Sequence, residues 1–150
     1  MSDLNKHPLV QLYIEKNNFG RLLEMDFEIL APGKVHYSMP VHSLHLATPL
    51  AAHGGAISAL MDATMGVCAL SRVVEENKIV STIELKISFV SPALKNDLLS
   101  ADANVIKKGN RLLFVEGKIY NQRNDLVAMA TGTFNAYEPK NGGFNLCSVQ

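Results

Sequence analysis

The chain has 150 residues with 14 basic and 14 acidic side chains, so its formal net charge at pH 7 is zero. This balance gives no general attraction to nucleic acid or to an anionic membrane, and neither is an expected partner. The hydrophobic fraction of 47% allows a full core, and the length favours a single domain over residues 1–150. Two cysteines make no disulfide framework and the polar N-terminus has no apolar signal core, which together predict a cytoplasmic protein.

The N-terminal part of the chain changes from a helical to a strand periodicity. Residues 8–18 have the apolar spacing of a short helix with Pro8 in its first turn, so residues 1–20 are expected to form a helical extension. Residues 22–30 are apolar at every odd position from 23 to 29, which predicts a half-buried strand. Pro32 and Gly33 then signal a turn, and the alternation over 35–41 predicts the second strand of a hairpin.

Two glycines precede the most apolar run of the chain, residues 56–70, which predicts one helix. Thr48 and Pro49 could also cap a helix that begins earlier, but Gly54 and Gly55 would then cost about 2 kcal/mol in its interior, so the later start is preferred. The run is shorter than the roughly 20 apolar residues of a membrane span. Because it is apolar nearly all round, we expect it to be buried on every face, by a curled sheet or by a second copy of the chain.

Four more strands are expected after this helix. Residues 79–90 alternate, with Leu85 and Ile87 on one side and Thr82 on the other, until Ser91 and Pro92 end the strand. Residues 98–106, 111–121 and 126–137 follow, with turns at 107–110 and 122–125, and the Gly- and Asn-rich segment 138–150 is expected to be mobile. The predicted fold is α+β, a curved antiparallel sheet of about six strands wrapped around one long helix.

Two residues of the central helix are candidates for chemistry. Gly54 offers a backbone N–H at the helix start, where the helix dipole favours negative charge on a ligand oxygen; alternatively, the glycine pair only allows a tight turn or a close approach. Asp62 is the only charge in the run and could act as general base or nucleophile; alternatively, its carboxylate is held by the backbone or by Thr64. Eight helical residues separate Gly54 from Asp62 by roughly 12 Å, so one carbonyl could meet both only if they belong to different chains.

Other polar residues are weaker candidates. His53 could cap the helix or take part in chemistry. The basic residues Lys107, Lys108 and Arg111 surround a Gly-Asn turn and could hold phosphates, or simply be solvated. The sequence has no His-x-x-x-His or Cys-x-x-Cys spacing and no Gly-x-Ser-x-Gly elbow, so neither a metal nor a serine nucleophile is expected.

The chain resembles the hotdog-fold thioesterases, specifically the PaaI-like acyl-CoA thioesterases. His53-Gly54-Gly55, followed by Leu60 and Asp62, matches the His-Gly-Gly-x4-Leu-x-Asp signature of that family. The segment 82–89, closed by Ser-Pro-Ala at 91–93, is similar to the strand that follows its helix. The likeness covers residues 22–137.

This resemblance implies hydrolysis of an acyl-CoA thioester at a site shared by two subunits of a homodimer or homotetramer. It implies that the Gly54 amide polarises the carbonyl, that Asp62 of a second subunit activates water or attacks directly, and that Thr82 helps to hold the water. His53 and Gly55 are expected to line the substrate site. The positions that match CoA contacts in the family are Phe89, Val90, Ser91, Pro92, Lys107, Lys108, Gly109 and Arg111. No metal or redox cofactor is implied, and CoA enters as part of the substrate.

Two positions depart from the pattern of the family. Ala47 stands where the family usually has Asn, and Leu50 stands where it usually has Gly. An Asn side chain would assist at the carbonyl, whereas Ala47 offers no donor. An acyl-CoA binding protein without catalysis is therefore the alternative function, and a hotdog dehydratase that uses His53 with an acid is a more distant one.

Overall fold

The structure is a computed structural model that describes residues 3–139. Most of the segment 138–150, predicted to be mobile, lies outside these residues. Within them the helices are α1 (Pro8–Lys16), α2 (Asn18–Leu22) and α3 (Gly54–Ser71). The strands are β1 (Asp26–Ala31), β2 (Lys34–Pro40), β3 (Ile79–Phe89), β4 (Leu98–Lys108), β5 (Leu112–Tyr120) and β6 (Leu126–Tyr137).

The six strands form one antiparallel sheet in the order β1-β2-β4-β5-β6-β3. Helix α3 packs against every one of them. A single helix can touch six strands only if the sheet curves around it, so the predicted α+β arrangement of a sheet wrapped around a central helix is confirmed. The core lies between α3 and the concave face of the sheet.

Helix α3 begins at Gly54, as the later of the two possible starts predicts. The side chain of Thr48 instead accepts a hydrogen bond from the Ala51 N–H at 2.9 Å, which makes a turn before the helix. Within residues 3–139, α3 is the one helix long and apolar enough to cross a membrane, and 56% of it is buried. Core helices of soluble proteins have the same length and composition, so this feature does not indicate a membrane span.

The sheet of a single chain does not bury α3 on every face, so the curled sheet alone does not give the burial that was expected. Residues at helical spacing along one face are only partly buried, namely Ser58, Ala59, Asp62, Ala63 and Gly66. The sheet encloses the opposite face, where residues such as Leu60 and Met65 are fully buried. Asp62 therefore lies at the margin of the core, and its charge is not enclosed by apolar side chains.

The N-terminal segment agrees with prediction at Pro8, where α1 begins, and over residues 26–30, which lie in β1, but not over residues 22–25. The chain first forms α2, whose N-cap Asn17 accepts a hydrogen bond from the Gly20 N–H at 2.9 Å, and β1 begins only at Asp26. The Asn5 side chain pairs with both backbone polar groups of Ile29, at 2.9 and 3.2 Å. Because this pairing occupies the outer edge of β1, the opposite edge, β3, is the more open one.

The β1–β2 hairpin turn is anchored to the last turn of α3. Gly33, with φ of 81°, donates its N–H to the Ser71 hydroxyl at 2.9 Å and accepts from the Cys68 thiol at 3.1 Å. Burial raises the pKa of Cys68 to about 12, as expected of a core thiol. These bonds fix where the hairpin crosses the helix.

Strand β3 contains a bulge that the sequence does not predict. Thr82 pairs with Phe134 of β6 and Glu84 pairs with Thr133, so Ile83 is an extra residue in the ladder. The bulge reverses the alternation, and Thr82 faces α3 together with the core-packed residues that follow it. The expectation that Thr82 points away from the apolar side is therefore wrong.

Candidate active site

The start of α3 leaves one backbone donor free. His53 is the N-cap, and its Nδ1 accepts the Gly55 N–H at 2.7 Å, so the ring is in the tautomer that carries hydrogen on Nε2. The Gly54 N–H has no acceptor within residues 3–139. The structure thus assigns capping to His53 and Gly55 and leaves the Gly54 amide available to a ligand.

A cavity of about 300 Å³ lies beside this amide. Its walls include all four consecutive residues that sequence analysis proposed for CoA, namely Phe89, Val90, Ser91 and Pro92. The ring of Phe89 covers Gly54 so closely that a Cβ on the glycine would lie 3.3 Å from Cζ. Gly54 therefore allows the close approach of Phe89 and also leaves its amide free for a ligand. Both interpretations of the glycine pair, close packing and ligand binding, are compatible with this geometry.

Asp62 opens onto a second cavity, of about 200 Å³. The Thr82 hydroxyl donates to Asp62 Oδ1 at 2.8 Å, whereas Thr64 donates to the Leu60 carbonyl at 2.6 Å. The alternative in which Thr64 holds the carboxylate is therefore wrong. The remaining walls are mostly apolar and include Val67, Leu70, Val80 and Phe134. A carboxylate at the edge of an apolar cavity can act on the polar group of a ligand while the apolar part of that ligand occupies the cavity.

Tyr13 of α1 also lines the Asp62 cavity, and sequence analysis missed it. Its hydroxyl accepts from Asn17 Nδ2 at 3.0 Å and lies 3.4 Å from the hydroxyl of the buried Tyr37. Burial raises the pKa of Tyr13, as does the nearby charge of Asp62, although its contact with Tyr37 acts in the opposite direction. The ring is therefore a neutral, fixed wall at neutral pH, and only the packing of α1 on the sheet brings it there.

The structure separates the two predicted catalytic groups. Gly54 lines one cavity and Asp62 the other, in agreement with their separation of roughly 12 Å along the helix. In the single chain, therefore, Thr82 lies beside Asp62 in one cavity, and the segment 89–92 lies beside Gly54 in the other.

The turn that carries Lys107, Lys108 and Arg111, here called the basic turn, lies far from the Gly54 cavity. The Arg111 carbonyl accepts the Ala136 N–H near the start of β3, and Lys108 forms an ion pair with Glu76. Lys107 and Arg111 are exposed, and Gly109 donates its N–H to the Leu112 carbonyl at 2.7 Å. The eleven residues of β3 place this turn roughly 33 Å from Phe89, so one chain does not bring the two groups of proposed CoA contacts together.

Two polar clusters, neither predicted from sequence, brace the loops around the Gly54 cavity. The His45 carbonyl accepts the His53 N–H at 2.7 Å, and burial lowers the pKa of the His45 ring, which keeps it neutral. Asp97 is 3% exposed and accepts from the Leu94 N–H at 2.8 Å, from Gln122 at 3.0 Å and from Arg123 at 3.0 Å. Burial alone would raise the pKa of Asp97, but these donors outweigh burial and lower it.

No group of three or more His, Cys, Asp or Glu side chains is placed to hold a metal ion in the part of the chain that the structure describes.

A central helix wrapped by six antiparallel strands, with a free amide at its start and a carboxylate along it, defines a hotdog-fold protein. In fold the chain is similar to the PaaI protein of E. coli from the phenylacetic acid degradation operon, with a TM-score of 0.82, 22% identity and coverage of 91% of this chain and 96% of that one. It is also similar to a hypothetical thioesterase of Streptococcus pneumoniae solved with coenzyme A, with a TM-score of 0.70, 22% identity and coverage of 76% and 86%.

The chain belongs to the thioesterase superfamily, whose family model matches residues 51–128. That match includes Gly54, Asp62, Thr82 and Phe89. A protein of Archaeoglobus fulgidus with a provisional esterase name is 28% identical over 125 residues, which are 83% of this chain and 79% of that protein. The resemblance to hotdog-fold thioesterases is thereby confirmed.

Proposed function

We propose that this protein hydrolyses an acyl-CoA thioester to a free acid and CoA. The observation that carries the proposal is the pair of groups on α3: a free Gly54 N–H beside one cavity and a carboxylate held by Thr82 in another. A thioester hydrolase needs a donor for the oxygen that becomes negative and an acceptor for the proton of water. Membership in the thioesterase superfamily and the coenzyme A bound to the Streptococcus pneumoniae relative support this choice of substrate.

In the proposed reaction the Gly54 N–H hydrogen-bonds the thioester oxygen and stabilises the charge that develops there. Asp62 takes a proton from water as the water oxygen bonds to the carbonyl carbon, and Thr82 fixes the orientation of the carboxylate. The carbon–sulfur bond then breaks, and the proton passes to the CoA sulfur. Direct attack by Asp62 on the same carbon is the other route, in which water hydrolyses an anhydride in a second step.

The proposal requires two copies of the chain, since Gly54 and Asp62 of one helix cannot reach the same carbonyl. Strand β3 lies at a sheet edge, whereas Asn5 occupies the outer edge of β1, so β3 offers backbone groups to another strand. A two-fold contact along β3 would set the start of one α3 against Asp62 of the other. We propose a homodimer of this kind, and a homotetramer by analogy with the family.

CoA is proposed to lie along the segment 89–92, with its phosphates reaching the basic turn of the second copy. Phe89 and Val90 are 55% and 53% exposed, so they are available to the apolar part of the pantetheine arm. Lys107 and Arg111 are exposed and carry the positive charge that phosphate groups need. Lys108 is paired with Glu76 and is the least available of the three cations.

A panel of acyl-CoAs and a thiol-detecting reagent test the proposal directly. We expect CoA thiol release with the wild-type protein and no release above background with Asp62→Asn. Hydrolysis of none of the thioesters by folded wild-type protein would refute the proposal.

Acyl-CoA binding without catalysis is the second candidate function, because Ala47 supplies no side-chain donor. If the protein is a slow enzyme, Ala47→Asn should raise kcat, since one oxyanion donor is worth about a hundredfold or more in other hydrolases. Leu50→Gly is the comparison, because it changes the other departing position without adding a donor. Binding of acyl-CoA by calorimetry with no thiol release from either protein would favour the binding function.

A further inference from the structure

We infer that Tyr13 of α1 is the residue that limits the size of the acyl group accepted at the Asp62 cavity. The inference rests on the proposed function, because it takes the cavity beside Asp62 as the space for the acyl chain. It assigns to the N-terminal helix a role in substrate selection.

Tyr13 lines the same cavity as Asp62, so it contacts the space that an acyl chain beside Asp62 would enter. The cavity is lined by Asp62 and Thr82, beside which the thioester carbon is proposed to lie, and by apolar residues of α3 and the sheet. Tyr13 is the wall residue contributed by α1. An acyl chain that fills this cavity of about 200 Å³ therefore contacts the phenol ring.

The ring is held in place from both sides, so it cannot yield easily. Its hydroxyl contacts Asn17 at 3.0 Å and Tyr37 at 3.4 Å, and its ring centroid lies 6.1 Å from that of Phe27, with the two ring planes tilted by 57°. Helix α1 itself is anchored by Val10, which is fully buried. A fixed wall excludes longer chains, whereas a mobile side chain would only weaken their binding.

The lining also indicates the class of acyl group. Apolar side chains form most of the wall, and among residues 3–139 no cation lines the cavity. A short, uncharged acyl chain fits this lining. A chain that ends in a carboxylate would bring a second negative charge into the cavity of Asp62 without a cation to pair with it.

The test measures kcat/KM for acetyl-, butanoyl-, hexanoyl-, octanoyl- and decanoyl-CoA, each normalised to acetyl-CoA. The variants are Tyr13→Leu and Tyr13→Ala, which shorten the wall, and Tyr13→Phe, which keeps the ring but removes its hydroxyl contacts. Ile14→Ala is the matched control, because Ile14 lies on the same helix, is 41% exposed and does not line this cavity. Circular dichroism and thermal unfolding select the variants that fold.

For the wild-type protein we expect kcat/KM to fall by roughly tenfold or more at the first chain that reaches the ring. Tyr13→Leu and Tyr13→Ala should move that fall to a longer chain, Tyr13→Phe should change the profile less than either, and Ile14→Ala should keep the wild-type profile. The inference is overturned if the profile of a folded Tyr13→Leu or Tyr13→Ala matches that of wild type, or if Ile14→Ala shifts the profile equally.

The failure of the proposed function gives a different result. If wild type hydrolyses none of the thioesters, that function is wrong, and the inference is decided by calorimetric titration of the same acyl-CoAs into wild type and Tyr13→Leu. A preference for longer chains in the variant then supports a wall formed by Tyr13. Equal preferences, or no binding at all, overturn it.

Discussion

The Thr82 hydroxyl donates a hydrogen bond to Asp62 Oδ1 at 2.8 Å and so ties β3 to the central helix. This contact depends on the bulge at Ile83, which turns Thr82 toward α3. One oxygen of the carboxylate is thereby oriented by the Thr82 donor, and the other accepts no hydrogen bond from residues 3–139. The relationship predicts that Thr82 matters to the rate through the position of Asp62.

Thr82→Val should lower kcat about tenfold with little change in KM, because an isosteric side chain removes one hydrogen bond to a charged group. Thr82→Ser should recover most of the loss, since it restores the hydroxyl. Steady-state kinetics on the best acyl-CoA measures both variants. Equal rates for Thr82→Val and wild type would show that the hydroxyl does not support catalysis.

Asp62→Asn should reduce kcat by roughly a hundredfold to ten-thousandfold, because the amide cannot accept the proton of water or attack as a carboxylate. Its oxygen can still accept from Thr82, and Asp62 lies at the margin of the core. We therefore expect the melting temperature to stay within about 3 °C of wild type. Thiol-release kinetics and thermal unfolding provide the measurements, and near-normal turnover would remove Asp62 from the mechanism.

The shared-site proposal predicts complementation between two inactive variants. Asp62→Ala lacks the acid, and Gly54→Pro lacks the N–H at the first helical position, where proline is well accommodated. His53 has φ of −66° and ψ of 136°, a conformation that a following proline allows. In a mixed dimer, one site has both defects and the other has neither, so co-refolded chains should recover about a quarter of wild-type activity.

Gly54→Ala is the control for this experiment, because it adds the contact with Phe89 but keeps the N–H. It should retain more activity than Gly54→Pro. Light scattering must show dimers, and a tag on one chain must show that mixed dimers form. Verified mixed dimers that remain as inactive as both parents would contradict the shared site.

Asp97→Asn should destabilise the protein by about 2 kcal/mol near neutral pH, because the buried carboxylate accepts from Arg123, Gln122 and a backbone N–H. The pKa of Asp97 is lowered in the folded state, so its contribution is present above the unfolded value of about 3.9 and is lost as pH falls through the lower folded value. The difference from wild type should therefore shrink below about pH 3.9.

Urea unfolding at several pH values measures this effect. Asp125→Asn is the matched control, since Asp125 also pairs with Arg123 but its side chain is 55% exposed, and it should cost less. A difference between wild type and Asp97→Asn that stays constant with pH would show that the charge of Asp97 is not responsible.

The sequence predicted the fold well because local signals and burial agree along most of the chain. Proline at position 8 and the glycine pair at 54 and 55 mark where α1 and α3 begin, and alternation locates the strands. The predicted strand 22–30 is wrong over residues 22–25, because their apolar alternation suits a strand whereas the Asn17 cap favours one more helical turn before β1.

Parts of the candidate site could not be predicted from local pattern. Alternation assumes an unbroken pleat, so the bulge at Ile83 reversed the expected direction of Thr82. Tyr13 lies 49 positions from Asp62 in the chain, and only the packing of α1 on the sheet brings it to the cavity. Likewise, the ion pair between Asp97 and Arg123 connects two loops that are distant in sequence, and no local pattern predicts their contact.

The strand order has a consequence for synthesis on the ribosome. Strand β3 ends at Phe89, but β6, its neighbour in the described sheet, begins at Leu126, 37 residues later (126 − 89). At about 5–20 residues per second, the nascent chain carries β3 unpaired for roughly two seconds or more. The hydrogen bond between Asp62 and Thr82 is therefore expected to form after β6 has emerged and paired with β3.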